Sequence, residues 1–276
     1  MALWEALVLG VVQGLTEFLP VSSSGHLTLV QFLMGFQGRA QEMLAFDVLL
    51  HLGTFLAVVL YFARDIVALI AGFFTGLGAL LGRRSAWADV WREPNFRTAL
   101  LVLIGSIPTG LMGILLQSFF ESLYNSLLAV AVGWLATAAL LWWVDQLGHH
   151  GRRASQSGAG AALWTGFMQG MAIAPGLSRS GATVAGALMA GMERREAARF
   201  SFLLALPAIL GAALVELRHV TGLAGGVELA AGFLAATLSG MVAIRWLLQA
   251  LTRGSLRPFA VYCALLGVVV AAWQLL

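Results

Sequence analysis

Apolar runs of about 20 residues, long enough to cross roughly 30 Å of hydrocarbon, recur near 45–63, 98–117, 124–144, 200–217, 227–249 and 258–276. They predict six transmembrane helices. Two further greasy stretches, 3–34 and 161–190, are each split by a proline and a Ser/Gly cluster into halves too short to span alone. Each predicts a re-entrant helical hairpin, one helix entering the membrane and a second returning, in preference to a kinked ordinary span. The two interruptions repeat one another: GVVQGLTEFLPVSSSG from Gly10 returns 156 residues later as GFMQGMAIAPGLSRSG from Gly166. A fainter echo follows, FDVLLHLGTFLA from Phe46 against FSFLLALPAILG from Phe200. The chain therefore reads as one membrane domain, 1–276, built of repeats 1–145 and 160–276 joined by a polar linker, 146–159.

Composition fits this pattern. With 60% hydrophobic and 11% charged residues among 276, the chain carries more apolar surface than one soluble core could hide. All sixteen basic residues are arginine, and no basic stripe suited to nucleic acid is present. Cytoplasmic loops carry the basic excess of membrane proteins. With both hairpins returning to the side they entered, Arg64, Arg83, Arg84, Arg92, Arg97, Arg152, Arg153, Arg194, Arg195, Arg199, Arg253 and Arg257 share one face, against Arg39 and Arg218 on the other. Both termini then lie outside. The segment near 76–97 reads as a cytoplasmic surface loop. Three crossings separate the hairpins, so the second copy enters upside down, and tips Ser22–His26 and Ser178–Gly181 can meet near the midplane. The first 12 residues carry one charged side chain, Glu5, and no cleavage site follows, so the N-terminus is expected to persist. Cys263 is the single cysteine, which excludes an intramolecular disulfide and a cysteine-based metal site.

Chemistry concentrates at the two tips. Gln13 and Glu17, four apart, share a helix face. An ionised Glu or Arg costs roughly 2.5–3.5 kcal/mol at the bilayer centre, so Glu17 and Arg179 should point inward, toward each other's neighbourhood or a common polar pocket. A purely structural ion pair is the bland alternative. Returning half-helices that start after Ser22–Ser24 and Ser178–Ser180 would aim free N–H groups and positive dipole ends at one volume, which suits an anion. Arg179 adds a guanidinium fit for phosphate, and Gly176 and Gly181 let backbone approach closely. His26, one helical turn after Ser23, could act as acid or base toward a serine or a phosphate ester oxygen. Gln13 and Glu17 could offer oxygens to a hard divalent cation, Mg2+ or Ca2+. Asp47 and His51, four apart, are further candidates to line the pocket, but the structural reading leads for them. Trp87, Trp91, Trp142 and Trp143 read as interfacial anchors, and His149 and His150 as solvated linker residues.

QGLTEFLPVSSSGH (Gln13–His26) and PGLSRSGAT (Pro175–Thr183), with FSFLLALP from Phe200, resemble the undecaprenyl-diphosphate phosphatase family, the bacterial bacitracin-resistance proteins. The likeness spans the whole chain, with the Gln form of that family's E/Q-x-x-x-E element. It implies an all-α integral membrane phosphatase that removes the terminal phosphate of a polyprenyl diphosphate to recycle the lipid carrier of cell-wall synthesis. It also implies divalent-cation dependence, a plasma-membrane enzyme whose site opens to the periplasmic side, and a homodimer. Carried across, the catalytic set is Glu17, Ser22, Ser23, His26 and Arg179, with Gln13, Ser24, Gly176, Ser178, Ser180 and Thr183 around the diphosphate. Ser23, His26 or water could attack. Inverted repeats also build transporters, so a flippase or anion carrier is the rival reading; the Ser-Ser-Ser-Gly-His cluster beside Glu17 argues for chemistry.

Overall fold

The computed structural model describes residues 1–36, 38–83, 85–124, 126–147, 151–216, 218 and 226–276. Arg84, His149, His150 and the Arg253 side chain lie outside the described residues. The described chain is all helical: α1 (Leu3–Phe18), α2 (Ser23–Leu33), α3 (Ala40–Tyr61), α4 (Ala63–Leu81), α5 (Trp87–Arg92), α6 (Pro94–Leu115), α7 (Gln117–Tyr124), α8 (Leu127–Asp145), α9 (Ala159–Met171), α10 (Arg179–Met189), α11 (Arg194–Glu216), α12 (Val227–Arg253) and α13 (Arg257–Leu275). Helices α3, α6, α8, α11, α12 and α13 coincide with the six apolar runs.

Among the described residues seven helices are long and apolar enough to cross a membrane, and the one beyond the six expected runs is α4. Residues 76–97, expected to be a surface loop, contain the end of α4 and all of α5. The signal was obscured because Arg64 and Asp65 directly follow the α3 run, and a single residue, Phe62, separates α3 from α4. Asp65 forms an ion pair with Arg199 of α11, so one of the two charges that suggest a loop is partnered within the protein. Only 11% of the apolar window of α4 is buried, leaving most of its surface to lipid or to another protein.

Both repeated segments break where expected. α1 stops at Phe18 and α2 starts at Ser23; α9 stops at Met171 and α10 starts at Arg179. At 1.5 Å per residue these halves reach about 16–24 Å, short of a full crossing. Within each segment the two halves pack against one another. Packing between the repeats is exchanged: α1 lies along α12 of the second half, and α9 lies along α6 of the first. The repeated glycines permit this. A Cβ added at Gly10 would stand 2.4 Å from the Gly232 carbonyl on α12, and one at the matched Gly166 would stand 1.7 Å from the Gly105 carbonyl on α6. Helices without a Cβ at the crossing can approach to backbone contact, the usual route to tight association in lipid.

α8 and α13 pack together and hold the hairpin tips. The fully buried Trp134 donates its indole N–H to the Val21 carbonyl at 2.9 Å, fixing the first tip. One turn on, the Thr137 hydroxyl accepts from the Ser178 N–H at 2.9 Å and shares its proton between the Gly133 and Gly176 carbonyls, fixing the second. Phe18 packs edge-on against Phe202 with centroids 5.6 Å apart, which closes the core beneath the first tip.

Candidate active site

The turn between α1 and α2 is strained. Ser22 has φ 69°, a left-handed value uncommon outside glycine, while the second turn places Gly176 at φ 80°. The strain positions a cap: Ser22 Oγ accepts from the Gly25 N–H at 3.3 Å, as Ser178 Oγ does from the Gly181 N–H at 3.1 Å. In each copy the capping hydroxyl lies 3.2 Å from the hydroxyl two residues on, Ser24 or Ser180. Ser180 also donates to the Leu19 carbonyl at 2.9 Å. That bond ties the two tips directly.

Across this junction the Arg179 guanidinium forms an ion pair with Glu17 through Nη2. Glu17 Oε2 also accepts the Ser23 hydroxyl and, at 3.1 Å, the Gln13 amide. His51 Nε2 stands 3.9 Å from the same oxygen. Glu17 is 6% exposed, so its charge is sheltered and matched by the guanidinium. Two buried polar atoms here have no protein partner: Arg179 Nη1, a donor, and Gln13 Oε1, an acceptor. The orientation of Gln13 follows from chemistry, because a carboxylate accepts only and must meet the amide nitrogen. Buried unpaired polar groups are costly and rare. A ligand carrying anionic oxygens would satisfy the arginine.

His26 stands beside this cluster rather than on Ser23. Its Nδ1 lies 2.6 Å from the Ser22 carbonyl and its Nε2 2.7 Å from the Tyr262 hydroxyl. The sequence spacing aims His26 at Ser23, whereas the structure assigns the Ser23 hydroxyl to Glu17. Ser178, Ser180 and Thr183 are buried, and their hydroxyls bond within the protein: Thr183 to the Arg179 carbonyl at 2.8 Å and to Ser201. Gly176 packs against Val130, where an added Cβ would meet the carbonyl at 2.0 Å. The structure thus gathers Gln13, Glu17, Ser23 and Arg179 into one contact set, with Ser22, Ser24 and His26 adjoining and Gly176, Ser178, Ser180 and Thr183 in the frame behind. Trp134, Thr137 and Tyr262 carry no local motif that marks them, and His51 stands beside Glu17 although spacing alone favours a structural reading of it.

The family profile described as "Bacitracin resistance protein BacA" matches residues 6–269. The chain belongs to the BacA family. Among relatives, proteins named undecaprenyl-diphosphatase from Rubrobacter xylanophilus and Methanosphaera stadtmanae are 43% and 40% identical to it. The alignments cover 99% of both chains in the first case, and 96% of this chain and 95% of the relative in the second. A third, from Desulforapulum autotrophicum, is 39% identical over 98% of this chain and 97% of its own. Both signature segments fall inside the matched region.

Proposed function

We propose that this BacA-family chain is a membrane phosphatase that hydrolyses undecaprenyl diphosphate to the monophosphate and inorganic phosphate, recycling the lipid carrier. The observation that carries the reading is the contact of Arg179, from the second hairpin, with Glu17 and Ser23, from the first, with Arg179 Nη1 still unpaired. Arg179 and the capped N-termini of α2 and α10 hold the diphosphate. Ser23 Oγ attacks the terminal phosphorus, its proton passes to Glu17, and the bond to the bridging oxygen breaks, releasing the lipid monophosphate. His26 Nε2 then takes a proton from water, the hydroxide displaces Ser23 from phosphorus, Glu17 returns the serine's proton, and His26 passes its own proton to the departing phosphate. The net change is one water consumed and one phosphate released.

A divalent cation fits as a companion of the substrate. Gln13 Oε1 is an unpartnered acceptor beside the Glu17 carboxylate, and the described residues contain no group of three or more His, Cys, Asp or Glu suited to a metal. Gln13 and Glu17 would hold it, with substrate oxygens and water completing its coordination. When bound it supplies charge neutralisation at the diphosphate.

The fold reading is six crossings with two re-entrant hairpins in inverted repeats. Its support is the exchanged packing of α1 on α12 and α9 on α6, which pairs α3, α6 and α8 with α11, α12 and α13. α4 has no counterpart in the second half and lies along the membrane surface, which keeps Arg64 and Arg83 on the cytoplasmic side. The site opens outward, both termini lie outside, and the bare apolar helix faces serve a homodimer. In a Cys263→Ala background, cysteines at 64 and 83 should both resist a membrane-impermeant thiol reagent in intact cells; labelling of one alone makes α4 a crossing.

Phosphate release from a polyprenyl diphosphate by detergent-purified protein, with and without chelator, tests the activity. Terminally labelled substrate should leave a transient label on Ser23. Label on another residue overturns the nucleophile, and no release under any metal condition overturns the enzyme.

A further inference from the structure

One residue close to the chemistry comes from far along the chain and belongs to no motif. Tyr262 lies on α13, 236 residues from His26, yet its hydroxyl is 2.7 Å from His26 Nε2. The two rings lie nearly parallel, at 4°, with centroids 5.7 Å apart. On another side, Trp134 meets the imidazole edge-on at 79° and 5.3 Å, itself fixed by its bond to the Val21 carbonyl. The Ser22 carbonyl can only accept a hydrogen bond, so Nδ1 must carry a proton. In the neutral ring Nε2 then presents its lone pair, and the Tyr262 O–H donates to it.

We infer that Tyr262 is a positioning residue for His26. This rests on His26 acting as base toward water in the proposed reaction. The Ser22 carbonyl selects the tautomer, and Tyr262 fixes the ring's rotation so that the Nε2 lone pair keeps one direction between substrate turnovers. Tyr262 is 46% exposed. Its hydroxyl can therefore move aside for the attacking water without opening the core, and the adjoining ring limits where the imidazole goes meanwhile. Pre-orienting a base in this way acts on the chemical step and leaves binding of the lipid diphosphate untouched.

The test uses full-length protein in detergent with a polyprenyl diphosphate substrate. Tyr262→Phe, which keeps the ring and removes the hydroxyl, should lower kcat about tenfold with KM within about twofold. Tyr262→Leu should fall at least as far. With 15N-labelled histidine, the His26 Nε2 resonance of Tyr262→Phe should shift while Nδ1 remains protonated. Wild-type kcat in Tyr262→Phe overturns the inference, as does a loss confined to Tyr262→Leu, which would make the ring a packing element only. Full activity in His26→Ala would instead remove the underlying reading of His26 as base. An inactive His26→Ala beside a fully active Tyr262→Phe would remove the Tyr262 assignment alone.

Discussion

At matched positions of the two hairpins, Glu17 corresponds to Ile173, Ser23 to Arg179 and His26 to Ala182, while Gln13/Gln169, Ser22/Ser178, Ser24/Ser180 and the glycines are shared. What is shared builds the turn: the capping serine, the hydroxyl pair and the small residues that let each hairpin seat against the opposite half. What differs divides the chemistry. The first tip carries the carboxylate, the serine and the imidazole, and the second contributes a guanidinium on a rigid, buried frame. The lesson is that a duplicated segment can keep one turn twice and bring unlike side chains together where the copies meet, because only there do Glu17 and Arg179 share a volume. The glutamines show the same divergence. Both carry a buried oxygen without a protein partner, but the Gln13 amide donates to a carboxylate and the Gln169 amide to Thr109 at 3.1 Å.

The strongest way to break this division is to remove the one charge the second tip provides. Arg179→Ala should lower kcat/KM on a polyprenyl diphosphate by about 10³-fold, the scale of losing a charge-stabilising donor. A full-rate variant would end the two-tip description. Glu17→Gln should cost about 10²–10³-fold. In the double variant the losses should fall well short of multiplying, since the pair acts as a unit; independent losses would mean the ion pair in the structure is not the catalytic arrangement.

Packing offers a second contrast. Gly166→Ala should destabilise by about 3 kcal/mol and Gly10→Ala by about 1–2 kcal/mol, because overpacking scales with how little the neighbour can yield. The Cβ at Gly166 meets a backbone carbonyl at 1.7 Å, against 2.4 Å at Gly10. Thermal unfolding in detergent reads this ordering, and a reversed order would mean the α1–α12 crossing is the tighter one. Smallest is the cap: Ser178→Ala should cost about 1 kcal/mol of stability with kcat changed less than a few-fold. A catalytic collapse with unchanged stability would move Ser178 from the frame into the reaction.

Much of this could be read along the chain. The six long apolar runs, both broken hairpins and the inward-facing Glu17 and Arg179 all follow from local hydropathy and from the expense of an unpaired charge in lipid. α4 escaped because its first residues are charged, and the ion pair of Asp65 with Arg199 accounts for one of those charges. The partners of the site escaped as well. Trp134, Thr137 and Tyr262 look like ordinary membrane-helix residues until α8 and α13 are seen against the hairpin tips.

The sequence alone determined the class of molecule, the duplicated break and which side chains must avoid lipid, because those depend on composition and short spacings. The tertiary structure decided which groups touch. Ser23 pairs with Glu17 rather than His26, and His26 is held by the Ser22 carbonyl and Tyr262. Hydrogen bonds act over about 3 Å, and residues up to 236 positions apart reach that range only once whole helices have packed.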